Sequence, residues 1–173
     1  MYPEVGDSDP EAGYRQRKVL YRNVGGKFQD VSLLGGPGIT ERVAGRGMAV
    51  GDFDNDGDLD VVVNCVNELP QLLRCDSTLS NHWLKVKCIG AKSNRSAIGA
   101  RVVCTTGDGV RRTDEVRSGG SYLSQSDLRL HFGLGANQKA DIQVRWPNGN
   151  VEDWKNLNSD QVVKLVEGER GSS

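Results

Sequence analysis

The chain has 173 residues, enough for one domain of ordinary size or two small ones, and its formal net charge of −1 gives no reason to expect nucleic acid or membrane insertion. No run of 18 apolar residues is present, so no membrane-spanning helix is expected, and Met1-Tyr2-Pro3-Glu4 lacks the basic start and apolar stretch of a signal peptide. With 22 glycines, 5 prolines and many short runs of alternating apolar residues, the composition points to an all-β chain rich in turns.

In chain order, residues 1–13 are polar and aperiodic and read as a loosely ordered lead-in. Val19-Leu20-Tyr21-Arg22-Asn23, a Val24-Gly25-Gly26 turn and Lys27-Phe28-Gln29-Asp30-Val31-Ser32 form a hairpin. A loop over 33–46 leads into a second hairpin at 47–66, then a turn at Asn67-Glu68-Leu69-Pro70 and a strand over 71–75. After a polar connector from Asp76 to Asn81, strands are expected at 82–89, 99–106, 110–117, 127–132, 140–146, 151–154 and 161–167. The turns between them fall at Gly107-Asp108-Gly109, Gly119-Gly120, Gly133-Leu134-Gly135 and Trp146-Pro147-Asn148-Gly149, with short helical turns admitted near 155–160. About seven short strands in so few residues suit a small β-sandwich or barrel.

The second hairpin carries the strongest chemical signal, Asp52-Phe53-Asp54-Asn55-Asp56-Gly57-Asp58-Leu59-Asp60. Five carboxylates this close repel one another unless a cation sits among them. Side chains at the first, third, fifth and ninth positions (Asp52, Asp54, Asp56, Asp60) can converge on one point, and Asp58 can add its backbone carbonyl. Gly57 supplies the left-handed turn. Oxygen-only ligands in this number favour Ca2+ over zinc or magnesium. The loop is not an EF-hand: its twelfth position is Val63, and the flanking runs Met48-Ala49-Val50 and Val61-Val62-Val63 read as strands. The ion is therefore expected in a strand-to-strand turn, with a structural role. The aspartate loop is the acidic excess of the first half, since residues 1–80 hold 8 basic and 13 acidic residues, net −5, against 14 and 10, net +4, over 81–173, and a bound Ca2+ would bring the first half to about −3.

Two families resemble these residues. The hairpin Leu20-Tyr21-Arg22-Asn23 with Phe28-Gln29-Asp30-Val31, followed by Arg46-Gly47-Met48-Ala49-Val50-Gly51 and the aspartate loop, resembles the FG-GAP/VCBS repeat of β-propeller blades, which carries calcium between two strands. The blocks Ser93-Asn94-Arg95-Ser96-Ala97-Ile98-Gly99-Ala100-Arg101-Val102, Glu115-Val116-Arg117-Ser118-Gly119-Gly120-Ser121-Tyr122-Leu123-Ser124-Gln125, Leu130-His131-Phe132-Gly133-Leu134-Gly135 and Val144-Arg145-Trp146-Pro147-Asn148-Gly149 resemble the ASPIC/UnbV domain. That domain follows such repeats in secreted proteins of the cartilage-acidic-protein type. The resemblance implies a repeat region over 14–76, an ASPIC/UnbV β domain over 81–168 and a tail at 169–173. It implies a secreted, extracellular or cell-envelope setting and adhesion, and it brings no catalytic residues. One repeat does not close a propeller. Either the chain is the C-terminal piece of a longer protein, its exposed blade edges prone to self-association, or the blade strands pack onto the second domain.

Other constellations are weaker. Ser124, Asp127 and His131 lie too close in sequence for a triad, and His131, out of phase with Leu130 and Phe132, is expected on an exposed strand face. His82 opens a strand beside Trp83. Asp114 and Glu115, like Glu152 and Asp153, are adjacent and point to opposite faces of a strand, so they do not form glycosidase pairs. Trp146, Trp154 and Tyr122 are candidates for stacking on a sugar ring or for core packing. Arg95, Arg101, Arg117 and Arg145 are solvated or form a contact surface for acidic glycans, with Arg117 and Arg145 the candidates for ligand contact. Cys65 with Cys75 and Cys88 with Cys104 are placed on neighbouring strands of two hairpins, either bonded or as buried thiols. The expected function is non-catalytic recognition of a glycan or an extracellular or envelope protein. A carbohydrate-active or biosynthetic enzyme with its site between the lobes and a structural C-terminal cap for a longer propeller are the alternatives.

Overall fold

A computed structural model describes residues 13–77 and 80–169. Nearly all of the lead-in and of the tail lies outside them. The fold is all-β: among the described residues there are fourteen strands in five sheets, with a 3-10 turn at Ser32–Leu34 and one helical turn at Pro37–Thr40 within the stretch read as loop.

β1 (Tyr21–Val24) and β2 (Lys27–Asp30) form the first hairpin, exposed along both strands. Asn23 Oδ1 accepts the Gly26 N–H at 2.9 Å, which closes the turn. β3 (Gly45–Gly51), β4 (Asp60–Cys65) and β5 (Gln71–Leu73) form an antiparallel sheet in that order. Its core is small: Val43, Val63 and Cys65, backed by Val61 and Leu73.

Most apolar burial lies in the C-terminal sandwich. β6 (His82–Ile89) runs between β11 (Leu130–Gly135), antiparallel to it, and β14 (Gln161–Val166), parallel to it. The facing sheet runs β13 (Val151–Asn158), β12 (Lys139–Arg145), β7 (Arg101–Thr106), β8 (Arg111–Glu115). Alternation sends Leu84, Val86 and Cys88 of β6 and Leu130, Phe132 and Leu134 of β11 into one core with Val102, Cys104, Ile142, Val144, Trp146 and Trp154.

Several expectations are corrected. Gly133-Leu134-Gly135 is not a turn but the end of β11, because Leu134 continues the inward alternation and a bulge between Gly133 and Gly135 absorbs the register shift. The region near 155–160 is not helical. β13 keeps pairing with β12 as far as Asn158, with a bulge taking up the extra residue, and Asn156 adopts φ 55°. Of the two alternatives for the cysteines the free one holds, since all four are unbonded. Cys75 is exposed rather than buried, and Cys88 and Cys104 belong to facing sheets rather than to one hairpin.

The β3 edge is closed from within the chain. The Met48 N–H donates to Ser121 Oγ and the Val50 N–H to Ser126 Oγ, each at 3.1 Å. The Asp127 N–H donates to the Val50 carbonyl at 2.9 Å. β9 (Gly120–Ser121) and β10 (Ser124–Gln125) make a small ribbon that lies along this edge. Gly47 permits the approach: a Cβ there would lie 2.5 Å from the Tyr122 carbonyl oxygen. One of the blade edges expected to drive self-association is thus covered by the sandwich's own loop.

Glu167, just past β14, ties three loops together. Its Oε2 accepts the N–H groups of Ala91, Lys92 and Ser93 at 2.9, 2.8 and 2.7 Å, and its Oε1 accepts from Ser93 Oγ and the Asn148 amide. Burial opposes its charge, but the donors more than offset that and hold the carboxyl below its ordinary value. A carboxylate depressed in the native state adds stability above its unfolded pKa, and that stability disappears as pH falls through the native value. Glu167→Gln is therefore expected to lower the melting temperature at neutral pH. The loss should shrink below about pH 4, which melting curves across an acid series would show.

Candidate metal centre

β3 ends at Gly51 and β4 begins at Asp60, so the aspartate loop is the turn between two paired strands, Gly51 opposite Asp60. The strand ends bury Asp52 and Asp60, each 2% exposed. One ligand oxygen from each of Asp52, Asp54 and Asp60 lies within 4.8 Å of the others. At an effective dielectric of about 20, two unit charges that far apart repel by roughly 3 kcal/mol, so the trio favours a cation among them.

Backbone donors hold the ring in shape. Asp60 accepts the N–H of Phe53 on one oxygen and of Cys75 on the other, both at 3.0 Å. Asp52 Oδ2 accepts the Gly57 N–H at 2.8 Å. Its other oxygen, Oδ1, is buried without a hydrogen-bond partner among the described residues. A buried, unpartnered carboxylate oxygen beside two further carboxylates fits a hard-ion ligand. The structure does not bring the Asp56 and Asp58 carboxylates into the trio. Asp56 Oδ1 accepts the Asp58 N–H at 2.9 Å, and Asp58 Oδ2 accepts the Ser77 N–H at 2.8 Å.

The loop rests on the outer face of β6 and β11. Alternation points Trp83 and Lys85 of β6 and His131 of β11 away from the core, and Lys85 and His131 are directly opposed across the two strands. His131 is not exposed as the sequence suggested, because the aspartate loop covers that face. Its ring stacks on Trp83, centroids 6.3 Å apart, and its Nε2 meets the Gly57 carbonyl at 2.7 Å, so that nitrogen carries the proton. Burial lowers its pKa, with the Gly57 bond opposing. Arg129 donates to Asn55 Oδ1 at 3.2 Å and, from Nε, to Asp127 Oδ2 at 2.6 Å. Lys85 is 2% exposed, its ammonium 4.7 Å from the Trp83 ring centroid and in contact with Asp52 Oδ2. Sequence reasoning missed Trp83, Lys85 and Arg129 as partners of the loop; the only signal was their phase relative to the inward residues.

Beside this seam opens a cleft of about 250 Å³ lined in part by Asp52, Lys85, Asp114, Arg117, Arg129 and His131. Its charges are largely paired: Lys85 with Asp52, Arg129 with Asp127, Arg117 with Asp114. Burial works against the Asp127 carboxylate, but Arg129 and, more weakly, Lys85 hold its pKa below the ordinary value. A general acid needs the opposite shift. Ser124, Asp127 and His131 do not form a triad: Ser124 donates to the Tyr122 carbonyl, and the other two are bonded as described.

Two of the ligand-contact candidates are corrected. Trp146 and Trp154 are 1% and 6% exposed and pack edge to face in the sandwich core, 6.4 Å apart, so neither offers a face to a sugar. The Trp146 indole N–H donates to Glu152 Oε2 at 2.9 Å. Tyr122 is 66% exposed at the tip of the loop covering β3. Arg145 is exposed on β12 and sits opposite Arg101, which in turn faces Glu115.

Two family descriptions match this chain: an FG-GAP-like repeat over residues 6–63, and ASPIC and UnbV over residues 90–172. Cartilage acidic protein 1 of Xenopus tropicalis is 33% identical over 120 residues, 66% of this chain and 18% of that protein. The Mus musculus and Homo sapiens proteins of the same name are each 30% identical over 126 residues, 71% of this chain and 19% of theirs. The chain spans about a fifth of the length of these curated relatives.

Proposed function

We propose, from the premise that the chain carries an FG-GAP-like repeat joined to an ASPIC and UnbV domain, that it is a calcium-stabilised, non-catalytic recognition module of an extracellular or envelope protein. The observation that carries the calcium reading is the aspartate trio with its unpartnered buried oxygen on Asp52. Asp52, Asp54 and Asp60 would hold the ion, which would turn repulsion in the loop into cohesion. The extracellular setting is supported by relatives whose name ties them to cartilage.

Recognition of a glycan or protein is favoured over turnover because Lys85, Arg129 and Arg117 of the cleft are paired with Asp52, Asp127 and Asp114, and His131 is bonded to the Gly57 carbonyl. The contact candidates that remain accessible are Tyr122, Arg117 and Arg145. A second reading, a cap that ends a longer propeller, is favoured by one observation: the Ser121, Ser126 and Asp127 contacts that close the β3 edge.

Calcium at a hundredfold excess over its Kd adds about 2.7 kcal/mol. For a chain of this size that raises the melting temperature by roughly 5 to 10 °C. Asp54→Ala, at an exposed position 4.0 Å from the Arg74 guanidinium, is expected to remove most of the shift while leaving the metal-free melting temperature nearly unchanged. A melting curve indifferent to calcium and chelator would remove the calcium reading. An array of glycans and matrix proteins, probed with and without calcium, separates recognition from the cap, which predicts no specific binder.

A further inference from the structure

We propose that Lys85 is a resident cation of the calcium loop, sharing Asp52 with the ion and setting how strongly the fold depends on calcium. The inference rests on the calcium reading above and concerns a residue outside the loop, on the neighbouring sandwich.

A lysine in the middle of β6 has no reason to be buried on its own account. The strand's apolar face already fills the core, and Lys87, two residues on and in the same phase, is exposed. Burying an ammonium is costly unless a carboxylate and its other donors are met. Lys85 reaches 2% exposure only because Asp52, equally buried, accepts from it. The two oxygens of Asp52 then have different duties. Oδ2 takes the Lys85 ammonium and the Gly57 N–H. Oδ1 takes neither and lies buried in a carboxylate that belongs to the trio. One carboxylate thus serves two cations, one supplied by the sandwich and one by solvent.

Two consequences follow. Without calcium, the ammonium offsets part of the loop's repulsion and keeps the loop seated on β6. With calcium, the ammonium repels the ion and competes for Asp52, so it weakens the intrinsic affinity. Removing it should therefore make the chain less stable without calcium and more responsive to it. Trp83 senses calcium because the ammonium that shares Asp52 with the ion lies 4.7 Å from its ring centroid.

The test compares the wild type, Lys85→Met and Lys87→Met by thermal melting in chelator and in calcium, with calorimetric titration of the folded chains by calcium alone. Lys85→Met is expected to melt lower in chelator, to show a calcium-induced shift at least twice that of the wild type, and to bind calcium on the order of tenfold more tightly. Lys87→Met is expected to match the wild type. A Lys85→Met chain that folds only with calcium is the extreme of the same result. Should it fold in neither condition, the wild type decides. Its tryptophan emission should change on calcium addition and lose that change in Trp83→Phe, with Trp146 and Trp154 silent in the core. An unchanged emission overturns the proposal. So does a Lys85→Met shift no larger than that of Lys87→Met while the wild type responds to calcium. A wild type with no calcium response removes the calcium reading itself and this inference with it.

Discussion

Gly57→Ala is expected to destabilise the protein by about 3 kcal/mol and to lower its melting temperature by roughly 6 to 12 °C. Two independent effects add. The backbone at residue 57 has φ +101°, outside the regions open to a residue with a Cβ. A Cβ at that position would also fall inside the Trp83 indole. The ring cannot retreat freely, because it stacks on His131, and His131 is bonded to the Gly57 carbonyl. Relief requires the loop to lift from β6, which breaks both that bond and the seating of Asp52 against Lys85. The effects are separable in a double-mutant cycle. In a Trp83→Ala background, alanine at 57 should cost only the backbone part, about half as much. Full cost in that background would mean that the clash contributes nothing and that the loop is held elsewhere.

How much of this was legible beforehand depended on the range of the interaction that decides it. The first hairpin, the β3–β4 turn and β6 are set by short-range patterns: glycines at a turn, alternation, a β-branched run. Those elements fall where Gly25-Gly26, the aspartate loop and His82–Ile89 predict. The errors arise where a neighbour remote in sequence overrides the pattern. Gly133-Leu134-Gly135 reads as a turn until Leu134 is seen to be needed in the core. Trp146 and Trp154 flank a turn, and nothing local distinguishes a sugar-facing pair from a buried one. The facing sheet decides it. His131 and Lys85 show the same limit from the other side. Phase alone puts both on the outer face, and only the docking of the aspartate loop, through contacts 33 and 74 residues apart in sequence, turns that face into an interior. Convergence of Asp52, Asp54 and Asp60 was readable from their spacing, yet the diversion of Asp56 to the Asp58 N–H depends on the turn's own hydrogen bonds.

Asp52→Leu is expected to be at least as damaging as alanine at 57, because it strands the Lys85 ammonium. Breaking a buried ion pair from one side costs about 3 to 5 kcal/mol, most of it the penalty of an unpaired charge away from water. The Gly57 N–H also loses its acceptor. The same physics predicts a rescue. With Lys85→Met added to Asp52→Leu, neither charge of the pair is left without its partner, and two apolar side chains fill the space of the pair beside Trp83. Stability should return to within about 1 to 2 kcal/mol of the wild type in chelator, the shortfall being the orphaned N–H. Calcium should then do nothing to the double variant, since the oxygen offered to the ion is gone. Urea unfolding of the four chains, with and without calcium, gives the whole cycle. If the double variant stays as unstable as Asp52→Leu, the carboxylate matters for the shape of the turn rather than for the charge it neutralises. If it recovers in chelator yet still gains stability from calcium, the ion is held without Asp52, and the orphan oxygen on which the metal assignment leans has another purpose.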